Sequence, residues 1–275
     1  MNEVRKAIST DGTTIAYEAY GTGPVAVIVG GAFCDRGAFR DVAQALGGLG
    51  FTGVTYDRRG RGDSGDTDLG AGARRREAVA REVDDLSAVI AAAGESDSAA
   101  NVFGVSSGGA LVIEAIAAGA PIAKGSAIEV PYRTPGWPPA PADYLATLER
   151  FEAAGDRAGI VRYFNNEVVG MPSEMVDGMV GTPMWNALLS MAYTVKYDAQ
   201  CLGGDDQSIP ADTFARVTVP FLSVCSSGTQ MPWLHDAAAV VAEALPDATS
   251  VELAGEFHQV PAGVLAPALA GFFRS

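Results

Sequence analysis

The stretch from Ala99 to Ala115, AANVFGVSSGGALVIEA, decides how the rest of the chain is read. A short apolar run at Val102 and Phe103 meets Gly104-Val105-Ser106-Ser107-Gly108 and passes at once into a helix-like pattern. This is the G-x-S-x-G arrangement, in which a strand turns sharply into a helix and leaves a serine at the turn. The turn crowds backbone against backbone, and Gly104, Gly108 and Gly109 supply residues without a Cβ there. Its product is the Ser106 hydroxyl at the C-terminal edge of a strand, above a helix N-terminus. Free N–H groups and the positive dipole end then face any developing anion. In a chain with 33 glycines a chance G-x-S-x-G is common. The strand before it and the helix after it are what make this one informative.

Outward from that turn the chain alternates strand and helix. Residues 3–20 alternate loosely around Asp11-Gly12 and read as an antiparallel hairpin. Pro24 to Val29, PVAVIV, is a continuous apolar run of the kind buried on both faces of a parallel sheet. A helix is predicted from Gly37 to Leu49, a strand at Val54–Tyr56, and a helix from Arg76 to Ala93 with Val79, Val83, Leu86 and Ile90 on one face. A strand near Ala123–Ile128 ends at Glu129-Val130-Pro131. The alternation then breaks: residues 131–216 carry a proline cluster and helical patterns without strands. It resumes with a strand at Pro220–Cys225, a helix at Asp236–Leu245, a strand at Ser250–Leu253 and a closing helix carrying Leu265, Leu269, Phe272 and Phe273. Pro267 fits that helix only in its first turn. The expected architecture is α/β, a mostly parallel doubly wound sheet. Residues 1–130 and 217–275 form its core and 131–216 an inserted helical cap.

Composition narrows the function. A chain of 275 residues buries roughly three quarters of its unfolded surface in one large domain. A net charge of −14 argues against nucleic acid or an anionic membrane as partner, and favours a monomer or small homo-oligomer acting on a small molecule. No run approaches the ~18 apolar residues of a membrane span. Met1 to Lys6 lead into polar sequence without an apolar core, which predicts no signal peptide. Cys34, Cys201 and Cys225 are odd in number and widely spaced, which suits free thiols in the cytoplasm. No C-x-x-C exists and only two histidines do, so neither a metal nor a cofactor site is expected.

Three segments together resemble the α/β-hydrolase fold superfamily, in its capped serine-hydrolase form. The G-x-S-x-G turn is one. Tyr56-Asp57-Arg58-Arg59-Gly60-Arg61-Gly62-Asp63-Ser64 is similar to the family's Y-D-x-R-G-x-G-x-S signature. His258 lies just past the last strand, where the family carries its histidine. Within Tyr56–Ser64, Asp57 and Arg58 read as braces for loops. The overlapping Gly60-x-Gly62-x-x-Gly65 is a decoy for a dinucleotide site, since no helix opens after it.

The chemistry follows from what a serine needs. Its hydroxyl is a poor nucleophile until a base takes the proton. Only His235 and His258 are available, and His258 sits at the sheet edge where site loops gather. The resemblance implies an oxyanion hole from the amides of Ser107 and Ala32, with Gly30 standing where the family usually has a histidine. It also implies an acid after the strand Pro220–Cys225, but Thr229 occupies that position. Glu129, at the end of the preceding strand, is the preferred acid, and some members of the family place theirs there. Asp236, or a site with no acid, is the alternative. Phe33, Trp137, Met184, Trp185, Met231 and Trp233 are expected to roof an apolar, adaptable pocket. Tyr197, Asp198 and Asn165-Asn166 are candidates to orient polar groups. The expected activity is hydrolysis of a small to medium, mostly apolar ester, lactone or thioester through an acyl-enzyme on Ser106. Non-hydrolytic use of the same site (C–C cleavage, lyase or cyclase chemistry) and a non-catalytic ligand-binding role are the alternatives.

Overall fold

The computed structural model describes residues 3–67, 75–94 and 98–275. Met1 and Asn2, part of the segment read for a leader, lie outside the described residues. Eight strands form one sheet: β1 (Arg5–Ile8), β2 (Thr14–Tyr20), β3 (Val25–Val29), β4 (Thr52–Tyr56), β5 (Ala100–Val105), β6 (Ile122–Ile128), β7 (Phe221–Gly228) and β8 (Ala248–Glu256). Their order is β1-β2-β4-β3-β5-β6-β7-β8, with β1 and β2 antiparallel to their neighbours and the rest parallel.

Helices cover both faces, so the inner strands are apolar throughout rather than alternating with polar residues. On β3, Val25, Val27 and Val29 pack on one side, with Leu86, Val102 and Leu111. Ala26 and Ile28 pack on the other, with Leu46, Phe103 and Leu269. The helices doing this are α1 (Arg40–Gly48), α2 (Arg75–Ala93), α3 (Ser107–Ala117) and, after an excursion, α10 (Pro232–Ala244) and α11 (Ala262–Arg274). Between β6 and β7, among the described residues, the chain is helical without a strand: α4 (Tyr144–Ala153), α5 (Arg157–Tyr163), a π-helical turn at Phe164–Val168, α6 (Ser173–Asp177), α7 (Pro183–Met191), α8 (Val195–Cys201) and α9 (Ala211–Phe214). A separate apolar cluster, including Tyr144, Leu148, Ile160, Trp185 and Val195, holds this helical segment together. Among the described residues no helix is long and apolar enough to cross a membrane.

The sequence expectations fail mainly at element ends. The helix expected from Gly37 begins at Arg40, because the Asp35 side chain captures the Gly37 N–H at 2.8 Å in a local turn. The helix expected from Asp236 begins at Pro232, whose missing N–H suits a first helical position. Strand β8 runs longer than Ser250–Leu253 because it follows β7 out to Glu256. Pro267 lies well past the first turn of α11. An interior proline costs about 3 kcal/mol. Burying Leu265, Leu269 and Phe273 returns about 1.5–3 kcal/mol each, so packing decides.

Candidate active site

The parallel strands deliver their C-terminal ends to one edge of the sheet, and register fixes which residues meet there. Val105 of β5 is opposite Ile128 of β6, which puts Ser106 and Glu129 next to each other as the two strands end. The Ser106 N–H donates to the Ile128 carbonyl at 3.0 Å, and the Ser106 carbonyl accepts from Gly109 N–H at 2.8 Å. The turn is as tight as its glycines suggest. A Cβ on Gly104 would stand 2.5 Å from the Gly109 backbone, and one on Gly108 would stand 2.4 Å from the Val29 carbonyl oxygen. Ser106 itself is held at φ 56° and ψ −125°, a backbone conformation that residues with a Cβ rarely adopt.

His258 is presented by a tight turn after β8, in which Glu256 and Gln259 exchange both backbone hydrogen bonds at 2.9 Å. Glu129, fully buried, meets it: Oε2 accepts from His258 Nδ1 at 2.7 Å and from the His258 backbone N–H at 2.8 Å. Its Oε1 accepts from the Ser226 N–H at 2.9 Å and the Ser226 hydroxyl at 2.6 Å. Burial raises the carboxyl's proton affinity, but these bonds together outweigh it and hold the pKa down at about 2. An ionised carboxylate only accepts, so the proton of the bond belongs to Nδ1 and the neutral ring keeps its Nε2 lone pair. Asp236 is exposed and accepts from Trp137 Nε1 at 2.8 Å instead. His235, the other histidine, contacts Cys225 Sγ at 3.0 Å.

Ser106 and His258 line one cavity of about 760 Å³, together with Ala32 and Ser107. The Ser107 amide opens α3, where helix geometry leaves the first N–H groups without an intrahelical acceptor. The loop carrying Ala32 is held by two arginines. Arg61 Nη1 donates to the Gly31 carbonyl at 2.6 Å and Arg58 Nη1 to the Gly30 carbonyl at 3.2 Å. Both arginines pair with Asp198 of α8, and Asp198 also accepts from the Ser107 hydroxyl at 2.7 Å. Burial alone would raise the Asp198 pKa, but the two guanidiniums lower it further. Asp57 braces its loop, accepting from Arg36 N–H at 2.7 Å and Asp63 N–H at 2.9 Å.

Of the expected pocket residues, Phe33, Met231 and Trp233 line the cavity. Trp137, Met184 and Trp185 do not, which corrects the expectation for them. Trp185 is packed into the helical cluster, Met184 points to solvent at 61% exposure, and Trp137 is tied to Asp236. Asn165 and Asp198 also line the cavity, whereas Tyr197 donates to Asp66 and Asn166 to Ser173. Sequence reasoning missed Arg133 and Gln207, both of which line it. Backbone strain is a signal only the structure carries. Among the described residues six non-glycines have positive φ; Phe33, Ser106, Gln207 and His258 line the cavity, and Glu129 stands behind His258.

Comparison with known proteins agrees with this architecture. Residues 26–268 match the model of the Alpha/beta hydrolase family. An alpha/beta hydrolase from Sphaerobacter thermophilus DSM 20745 is 39% identical, with a TM-score of 0.85 over 98% of this chain and 100% of that one. The chain therefore belongs to the alpha/beta hydrolase family. Two more distant structures share the fold. An esterase from Rhodococcus sp. ECU1013 has 19% identity and a TM-score of 0.64, over 98% of this chain and 97% of that one. A 2-hydroxy-6-oxo-6-phenylhexa-2,4-dienoate hydrolase from Rhodococcus sp. strain RHA1 has 17% identity and a TM-score of 0.68, over 100% of both chains. No functionally curated protein matches the chain.

Proposed function

We propose that this protein is a serine hydrolase acting on a small to medium, mostly apolar ester, lactone or thioester. The observation that carries the reading is the 2.7 Å contact between Glu129 and His258 Nδ1, with His258 and Ser106 facing one cavity. Ser106 attacks the acyl carbonyl while His258 Nε2 takes its proton. The Ser107 and Ala32 amides stabilise the oxyanion, and Glu129 holds the ring's tautomer and balances the imidazolium. His258 then protonates the leaving group, and water, deprotonated by the same ring, releases the acid. Residues 131–216 act as a cap that roofs the cavity with Phe164, Val168 and Met171. Three unpaired cysteines and the acidic balance are in keeping with a cytoplasmic enzyme on small molecules. A fluorophosphonate probe tests the reading: it is expected to add covalently to wild type and not to Ser106→Ala. Unlabelled, correctly folded wild type would overturn it.

A further inference from the structure

We propose that the substrate carries a carboxylate, bound at a subsite formed by Arg133 and Gln207. The proposal rests on the cavity being the substrate site and adds what the substrate must bear. In a chain with 33 acids and 19 basic residues, the fully buried arginines Arg58, Arg59 and Arg61 all have carboxylate partners. Arg133, which lines the cavity, has none among the described residues. Its Nη2 donates to the Val168 carbonyl at 2.9 Å and its guanidinium lies 4.6 Å from the centre of the Trp233 ring, while Nε is buried with no partner. The guanidinium is half-buried without an anion, which disfavours its charged form, and burial pushes its pKa down accordingly.

Gln207 lies alongside in the chain's hydrogen bonding, its carbonyl accepting from the Arg133 N–H at 2.7 Å. It is 2% exposed, lines the same cavity, has its amide nitrogen unpartnered, and is held at φ 50°. Arginine offers only donors, and Gln207 adds an unused amide donor. What they lack is an acceptor with a negative charge. Of the acids lining the cavity, Asp198 is taken by Arg58 and Arg61, and Asp41 and Glu256 are exposed. One uncompensated cation between walls such as Phe33, Phe164 and Val168 matches a monoanion on an apolar body better than a dianionic phosphate.

Two measurements test this. Calorimetry compares phenylbutyrate with phenylbutanol on wild type, Arg133→Met and Arg133→Lys, each checked for a native unfolding transition. Wild type is expected to bind the acid about tenfold or more tightly than the alcohol, the methionine variant to lose that preference, and the lysine variant to keep part of it. Turnover is compared for a p-nitrophenyl monoester of adipic acid with its far carboxyl free or methyl-capped. The ratio of kcat/KM for free over capped is expected to exceed about ten in wild type and fall to about one in Arg133→Met. Wild type binding acid and alcohol equally, or the methionine variant keeping the preference, overturns the proposal. If the serine chemistry fails, no ester turns over and no probe adds to Ser106, yet the calorimetry still decides the carboxylate question.

Discussion

Asp198, on α8 between β6 and β7, accepts a hydrogen bond from the hydroxyl of Ser107, the residue after the candidate nucleophile, at 2.7 Å. The same carboxylate pairs with Arg58 and Arg61, which hold the carbonyls of Gly30 and Gly31, while Glu82 supplies the second negative charge at Arg58. One buried acid thus ties the helical segment to both loops that supply the proposed oxyanion donors. Removing one partner of a buried charge pair typically costs about 3–5 kcal/mol because the other is left uncompensated. Asp198→Asn is therefore expected to lose several kcal/mol of stability by denaturant unfolding, together with most of its kcat. Ser107→Ala keeps the backbone amide and loses one hydrogen bond to a charged group, an expected cost of about 1.5–3 kcal/mol.

Glu129→Gln changes little volume but removes the acceptor that fixes His258 Nδ1 as the protonated nitrogen. In the reference case of the Ser-His-Asp triad, the equivalent change lowers kcat about 10⁴-fold. A fall of about 10³–10⁴ in kcat with little change in KM is expected here. Asp236→Asn, at an exposed residue bound to Trp137, is expected to alter kcat less than about threefold, inside the usual range for a surface change. Steady-state kinetics on one ester would tell the two carboxylates apart.

What the sequence revealed follows from range. Ser106 was legible because its signal is local: glycines at fixed offsets between an apolar run and a helix. Glu129 could only be ranked above Asp236, since the acid that reaches the ring is set by the registers of β6, β7 and β8, residues far apart in the chain. Met184 and Trp185 misled because composition says a helix is apolar, not which face turns inward, and Trp137, in a loop, is tied to Asp236 by a contact that no local pattern announces. Trp185 satisfies its own helical cluster instead. Arg133 and Gln207 belong to no motif. They stand out only once the burial and partners of every charge are known.

The carboxyl of Glu129 also sets how stability depends on acid. Its folded pKa of about 2 lies below the ordinary 4.5, so the unfolded chain binds its proton first as pH falls. The stabilisation is fully present above pH 4.5 and is lost progressively towards pH 2, amounting to about 3 kcal/mol. Denaturant unfolding of wild type and Glu129→Gln across that window is expected to show the difference between them shrinking as pH falls. A constant difference would mean the carboxylate is not held in this network.

The three thiols should be unreactive in the native chain. Burial pushes Cys34 up and Cys201 well up, and burial followed by the charge of Glu129 raises Cys225 to about 12. Thiolate is the reacting species, so its scarcity slows alkylation. Iodoacetamide at pH 7.5 is expected to leave the native protein unmodified by intact mass over a period in which the urea-unfolded chain gains three adducts. Fast modification of Cys34, which lines the cavity, would show that its thiol is more open than its burial implies.

The strain at Ser106 predicts a trade between stability and activity. A side chain held at φ 56° costs about 1–3 kcal/mol, whereas glycine adopts this conformation without a Cβ clash. Glycine also gives back about 0.5–1 kcal/mol through the greater freedom of the unfolded chain. Ser106→Gly is therefore expected to be up to about 2.5 kcal/mol more stable than wild type and inactive. Ser106→Ala keeps its Cβ, so it loses activity without gaining that stability. The comparison separates strain from loss of the hydroxyl. If the glycine variant unfolds at a lower denaturant concentration than the alanine variant, by the entropic cost alone, the turn is not strained, and the hydroxyl is held by the sharp bend alone.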